Sequence, residues 1–123
     1  MFSKLSDAEY RFMEEIWAVE PIKSSALVKI CEDKFGWKKS TTYTVIKNLI
    51  NKEVLINEDT FVRSLATREE IAKAEGKEIA DKAFNGSVLD MFATFIKDRK
   101  LTKEEYMKLD KLINEAYKGE KEN

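Results

Sequence analysis

The sequence predicts a mainly α chain in which three helices and a β-hairpin are followed by three more helices. Helix-start signals recur along the chain, each with apolar residues at helical spacing behind it. The pattern breaks once, near residues 54–64, where short strand-prone runs flank a polar turn. One proline and four glycines are too few for a turn-rich β chain or for glycine-rich phosphate loops.

The first helix opens on Ser6 with Glu9 three residues on, a capping box, and carries Leu5, Ala8, Phe12, Met13, Ile16 and Trp17 until Pro21 stops it. Ser24 or Ser25 caps a second helix with Leu27, Ile30 and Cys31 on one face and Gly36 as its stop. Ser40 caps a third, running to about Lys52. Val54-Leu55-Ile56, the turn Asn57-Glu58-Asp59-Thr60 and Phe61-Val62 read as a two-stranded hairpin. Thr67 with Glu70 opens a fourth helix that Asn85-Gly86 ends, and Ser87 caps a fifth to about Lys97. Thr102 with Glu105 opens the last, and residues 118–123 read as a frayed polar tail. The order is that of an N-terminal winged helix over residues 1–66, followed by a three-helix region over 67–117.

Composition narrows the chemistry. The 123 residues include no histidine and a single cysteine, Cys31. His-based triads, His-ligated zinc, a disulfide within the chain and a cysteine cluster for metal are thereby excluded. Cys31, on an apolar face, reads as a buried structural thiol. Glu14-Glu15 and Glu104-Glu105 are consecutive on helices and diverge, so they do not form a catalytic carboxylate pair. No enzyme mechanism, cofactor or metal site is expected. No apolar run is long enough to span a membrane and no secretory leader is visible, so a soluble cytoplasmic protein without membrane insertion is expected.

Net charge is −1, from 22 basic and 23 acidic residues, yet the charge is unevenly placed. From Lys34 to Lys52 there are five lysines and no acid. At ~100° per residue, Ser40, Thr41, Thr44, Lys47, Asn48 and Asn51 share one helical face, opposite Thr42, Val45, Ile46 and Leu49. Hydroxyl, amide and ammonium groups pair with phosphates and with base edges in the major groove. Thr41, Thr44 and Asn48 are candidates for base edges, with Lys38, Lys39, Lys47 and Lys52 on phosphates. Glu58-Asp59 at the hairpin tip would repel phosphate, although Arg63 can still reach the backbone. The hairpin either grips DNA or only closes the domain. Trp37 reads as packing in preference to lying near DNA.

Val88, Leu89, Met91, Phe92, Ala93, Phe95 and Ile96 leave the fifth helix apolar nearly all round. A surface helix keeps one polar side. A region of about 57 residues can hardly enclose such a helix alone, and a second subunit is the simplest cover. The alternatives are a central core helix of a monomer or a pocket beside Met91, Phe92 and Phe95. Residues 67–117 therefore read as a helical dimerisation region. Its candidate contacts are Ile79, Ala83, Val88, Leu89, Met91, Phe92, Phe95, Ile96, Leu109 and Ile113. A double-stranded DNA operator and a second copy of the chain are the expected partners. The competing reading is a winged-helix module that binds protein without sequence-specific DNA contact.

Leu5-Ser6-Asp7-Ala8-Glu9 leading to Ile16-Trp17, then Gly36-Trp37, Ser40-Thr41-Thr42-Tyr43-Thr44 and Leu49-Ile50-Asn51-Lys52, resemble the penicillinase-repressor family (BlaI and MecI, with the copper-responsive CopY branch). The likeness runs to Arg68-Glu69-Glu70 and continues in helix count and spacing. The resemblance implies a homodimeric transcriptional repressor on near-palindromic operators ahead of resistance or stress genes, such as a β-lactamase system. In β-lactam-responsive members it also implies cleavage of the repressor, triggered by a membrane sensor-protease system. Their Asn-Phe cleavage bond aligns with Thr94-Phe95, which makes Thr94 and Phe95 the candidate position here. The C-terminal cysteine cluster of the copper branch is missing, and the family's usual Lys-Gly after the recognition helix is Lys52-Glu53.

Overall fold

A computed structural model describes residues 4–121. The elements run α1 (Asp7–Val19), β1 (Ile22–Lys23), α2 (Ser24–Phe35), α3 (Lys39–Asn51), β2 (Leu55–Glu58), β3 (Phe61–Ser64), α4 (Arg68–Ala83), α5 (Val88–Ile96) and α6 (Lys103–Lys121). Three helices and a hairpin thus form the expected winged helix, with helices after it.

The capping boxes form as expected. Ser6 Oγ accepts the Glu9 N–H at 3.1 Å while Glu9 Oε1 accepts the Ser6 N–H at 2.8 Å. Thr67 with Glu70 and Thr102 with Glu105 repeat this reciprocal pairing. Ser87 caps α5 through the Asp90 N–H at 3.0 Å. Gly36 ends α2 at φ 69°, a left-handed conformation that glycine adopts without steric cost.

Two expected caps are corrected. Lys23 precedes α2 and Ser24 is its first residue, without a side-chain cap. The chain enters α2 straight from β1, and the Ser24 N–H is already satisfied by the Thr60 carbonyl at 2.9 Å. Likewise α3 starts at Lys39 with Lys38 before it, which puts Ser40 inside the helix. β1 itself was not expected. It exists through pairing with β3, Ile22 opposite Val62 and Lys23 opposite Phe61, in an antiparallel sheet of order β1-β3-β2.

The core gathers Phe12, Met13 and Ile16 from α1, Leu27 and Cys31 from α2, and Ile46 and Leu49 from α3. Val54, Leu55 and Val62 close it from the wing, and Ile71 joins it from α4. Each large side chain so buried is worth roughly 1.5–3 kcal/mol relative to exposure. Trp37 packs as expected, stacked on Phe12 at 5.9 Å between centroids and tilted on Phe35 at 5.0 Å.

The chain forms two compact units, the first ending at Ile79 and the second beginning at Ala80. The sequence places its change of role earlier, at Ala66-Thr67. Tertiary contacts hold the first turns of α4 in the first unit. The Trp17 indole N–H donates to the Ala66 carbonyl at 3.0 Å, the Arg68 guanidinium lies over the Trp17 ring, and Glu75 accepts the Leu5 N–H at 3.3 Å. Burial and the nearby Glu75 carboxylate push the Tyr10 phenol up.

The second unit comprises the last turn of α4, then α5 and α6. Phe84 meets Phe95 edge to face at 6.4 Å. The segment read as a frayed tail is helical as far as Lys121, continuing α6. No helix among the described residues is long and apolar enough to cross a membrane.

Two backbone positions lead to opposite exchanges with one outcome. Gly76 lies inside α4 with open space where a Cβ would stand. Glu53 follows α3 at φ 63°, a left-handed conformation that glycine adopts without steric cost. Gly76→Ala removes unfolded-state freedom, and Glu53→Gly relieves left-handed strain. Each should raise unfolding free energy by about 0.5–1 kcal/mol in urea titrations.

Candidate nucleic-acid interface

α3 presents the face that its periodicity predicts. Thr42, Ile46 and Leu49 are buried and Val45 is half-buried, while Ser40, Thr41, Thr44, Lys47, Asn48 and Asn51 are all exposed. Hydrophobic packing against α2 and the wing thus sets the rotation of the helix and turns its polar stripe to solvent. Burial raises the Cys31 thiol, with the Thr42 hydroxyl beside it acting the other way, so the thiolate is disfavoured. Thr42 Oγ1 itself is buried without a well-formed hydrogen bond.

The exposed groups differ in what they can offer. Thr44 Oγ1 donates to the Ser40 carbonyl at 2.9 Å. Its proton is committed, so it presents lone pairs, which suit the exocyclic amino groups of adenine or cytosine rather than a phosphate. Asn48 offers both donor and acceptor, the bidentate chemistry that matches adenine. Periodicity alone missed Tyr43. It is 38% exposed on the flank of this face, with the Lys39 ammonium 6.0 Å from its ring centroid. An aromatic four residues after a lysine in a helix is the signal that could have found it.

Tertiary ion pairs sort the cations. Lys34 is paired with Glu15 at 2.8 Å. Lys52, expected on phosphate, instead lies 2.6 Å from Glu9 Oε1 and donates to the Lys4 carbonyl at 2.9 Å. Burial works to raise the Glu9 carboxyl, but Lys52 and the Ser6 N–H outweigh it and hold the carboxyl below its ordinary range. Lys52 therefore fastens the end of α3 to the start of α1 and is a structural cation. Arg63 donates through Nε and one terminal nitrogen to Glu58 Oε1, at 3.1 and 2.8 Å, across the exposed face of the wing. Lys38, Lys39 and Lys47 are exposed beside the polar face of α3.

In the second unit, the residues read as dimer contacts are largely uncovered. Val88, Leu89, Phe92, Phe95 and Ile113 are exposed, Leu89 by 75%, as is Ile79 at the close of the first unit. Ala83 is exposed, and Met91, Ile96 and Leu109 are half-buried. No residue of α5 is fully buried. Thr94 and Phe95 lie within α5, both exposed, with the Thr94 hydroxyl donating to the Asp90 carbonyl at 2.9 Å.

The family model described as "Penicillinase repressor" matches residues 5–115. The penicillinase repressor of Bacillus licheniformis is 26% identical over 124 residues, spanning 97% of this chain and 96% of that protein. Among solved structures, the solution structure of monomeric Bacillus licheniformis BlaI with the blaP half-operator superposes with a TM-score of 0.50 at 23% identity. It covers 57% of this chain and 90% of that one. Reduced MarR from E. coli matches with a TM-score of 0.44 at 16% identity, over 92% of this chain and 75% of that one.

Lys47 within α3 and Lys52 just after it should separate cleanly. Lys52→Met leaves the Glu9 carboxylate short of its partner and should lower unfolding free energy by on the order of 2 kcal/mol. The salt slope of duplex binding should stay unchanged. Lys47→Ala should leave stability alone and flatten that slope by about one per subunit. Because the folded-state pKa of Glu9 is depressed, its contribution is present above the unfolded value near 4.5 and lost as pH falls through the folded value. Urea titrations at falling acid pH should show wild type losing stability that Lys52→Met has already lost.

Proposed function

The chain belongs to the penicillinase repressor family, and from that premise we propose that it is a homodimeric, cytoplasmic transcriptional repressor on a near-palindromic operator. The carrying observation is the exposed face of α3, built of hydroxyl, amide and ammonium groups with no acid among them. In this reading Thr41, Thr44 and Asn48 meet base edges, while Lys38, Lys39 and Lys47 meet phosphates, with Ser40 and Asn51 at the margins. About three phosphate cations per subunit give a log–log salt slope near −2.7 per subunit. Family membership speaks for transcriptional regulation rather than catalysis.

The uncovered apolar surface of α5 and α6 supports the dimer. Leu89, Phe95, Leu112, Ile113 and Tyr117 are each more than half exposed, and apolar surface of this kind marks a face for association. Linkage makes the second half-site an intramolecular event, so loss of the dimer releases the operator without touching α3. A membrane sensor-protease system that led to cutting of α5, at Thr94-Phe95 or nearby, would act through this linkage. Such a helical bond must open locally before it is cut. The intact mass of the repressor in β-lactam-treated cells tests this: with Thr94 in place of the usual Asn, a cut elsewhere or an uncut chain is the expected outcome, and a new C-terminus at Thr94 would instead show the family's own cleavage.

Selection of bound duplexes from a random pool should return a palindromic consensus. Failure to enrich any sequence would overturn the repressor reading. Leu89→Glu changes a side chain that the subunit leaves open to solvent, so it should give a folded monomer in sedimentation. Operator affinity should then fall by about 10²-fold or more as linkage is lost.

A further inference from the structure

The wing carries charge that the proposed DNA contact does not use. β2 and β3 are joined by Asp59 and Thr60, both in the left-handed region at φ 52° and 68°. This two-residue turn suits the twist of a hairpin and leaves little freedom at its tip. The Thr60 carbonyl accepts the Ser24 N–H at 2.9 Å, and β1 pairs along β3, so the tip is also tied to the start of α2. Its charges are therefore held in place rather than swinging on a loose loop.

The hairpin's own charges have the wrong sign for a DNA grip, and the one cation that β1 adds to the same sheet face is Lys23, opposite Phe61 with its ammonium 5.9 Å from that ring. Residues 55–64 contain two acids, Glu58 and Asp59, and one base, Arg63. Glu58 pairs across the strands with Phe61, and Arg63 with Ile56, which places the Glu58 and Arg63 side chains diagonally on one sheet face. Two guanidinium nitrogens converge on a single Glu58 oxygen. The pair is exposed on both sides, so it adds little to stability. Its effect is on what Arg63 can offer to another anion. A phosphate competing for Arg63 would leave Glu58 uncompensated beside Asp59, next to a polyanion.

We propose that Glu58 masks Arg63 and, with Asp59, makes the wing an electrostatic brake that lowers sequence-independent affinity for duplex DNA. This deepens the repressor reading above and rests on it. The brake leaves recognition to α3 and makes the complex easier to dissolve once linkage between subunits is lost. Glu58→Gln abolishes the mask and removes one negative charge, turning the wing into a phosphate grip.

The test uses the full-length protein on its selected operator and on unrelated duplex across 0.05–0.3 M salt (about these limits, where counterion release dominates). Thermal melts check that each variant is folded. Glu58→Gln should tighten binding to both duplexes about five- to tenfold per wing at 0.1 M salt and steepen the slope by about one per wing. Arg63→Gln should not flatten the slope, because Arg63 holds no phosphate in the unmodified protein. The double variant should lose the steepening. Unchanged affinity in Glu58→Gln, or a slope flattened by about one per wing in Arg63→Gln, overturns the proposal. If Lys47→Ala still flattens the slope in either event, the α3 reading stands and only the brake falls. If the unmodified protein binds no duplex, both fall together.

Discussion

One oxygen of the Glu9 carboxylate takes the Ser6 N–H at 2.8 Å and the Lys52 ammonium at 2.6 Å. The first contact completes the cap of α1, and the second pins the end of α3 to that cap. Glu9 is only 8% exposed, so its charge is held by partners rather than by water. The start of α1 and the end of α3 are thereby joined at a single point. The lysine that makes the joint is withdrawn from the surface on which the sequence places it. Geometry and electrostatics are coupled here: the ion pair that pins the end of α3 also reduces the cations beside it.

The same accounting applies to Arg63 and Lys34, each committed to a glutamate of the same unit. A chain with 22 bases and 23 acids has counter-ions to spare, and tertiary structure distributes them. Around α3 the exposed cations that remain are Lys38, Lys39 and Lys47, a narrow set. A narrow basic face suits binding in which base contacts carry a large share, because the phosphate contribution is sequence-independent. The acidic, self-paired wing points the same way.

The two units solve the burial problem differently. The first encloses a core drawn from α1 to α4, with aromatic stacking of Trp37 on Phe12 at its rim. The second has too little chain to enclose its own apolar residues, and Leu89, Leu112 and Tyr117 remain at the surface. A surface of that kind is costly in water unless covered. The assembly reading of the second unit rests on that cost.

Much of the molecule was legible because its signals are local. Capping boxes at Ser6, Thr67 and Thr102 span three residues, and the polar face of α3 follows from a 3.6-residue period. The left-handed stop at Gly36 needs only its own φ. By itself the sequence determined these helices, the hairpin, the exposed stripe Ser40-Thr41-Thr44-Lys47-Asn48-Asn51 and the apolar character of α5. Only the tertiary structure decided that Ser24 needs no side-chain cap, that Ile22-Lys23 is a strand, and that α4 begins within the first unit. It also decided that Lys52 fastens the end of α3 to Glu9 and that Arg63 pairs with Glu58. Most of these outcomes depend on partners tens of residues away, such as Thr60 for Ser24, Val62 for Ile22 and Glu9 for Lys52. Even the nearer Glu58–Arg63 pair forms only once the strands take their register. Periodicity and capping report on a chain's neighbours within a turn or two, whereas a long side chain selects its counter-ion only after the core has packed.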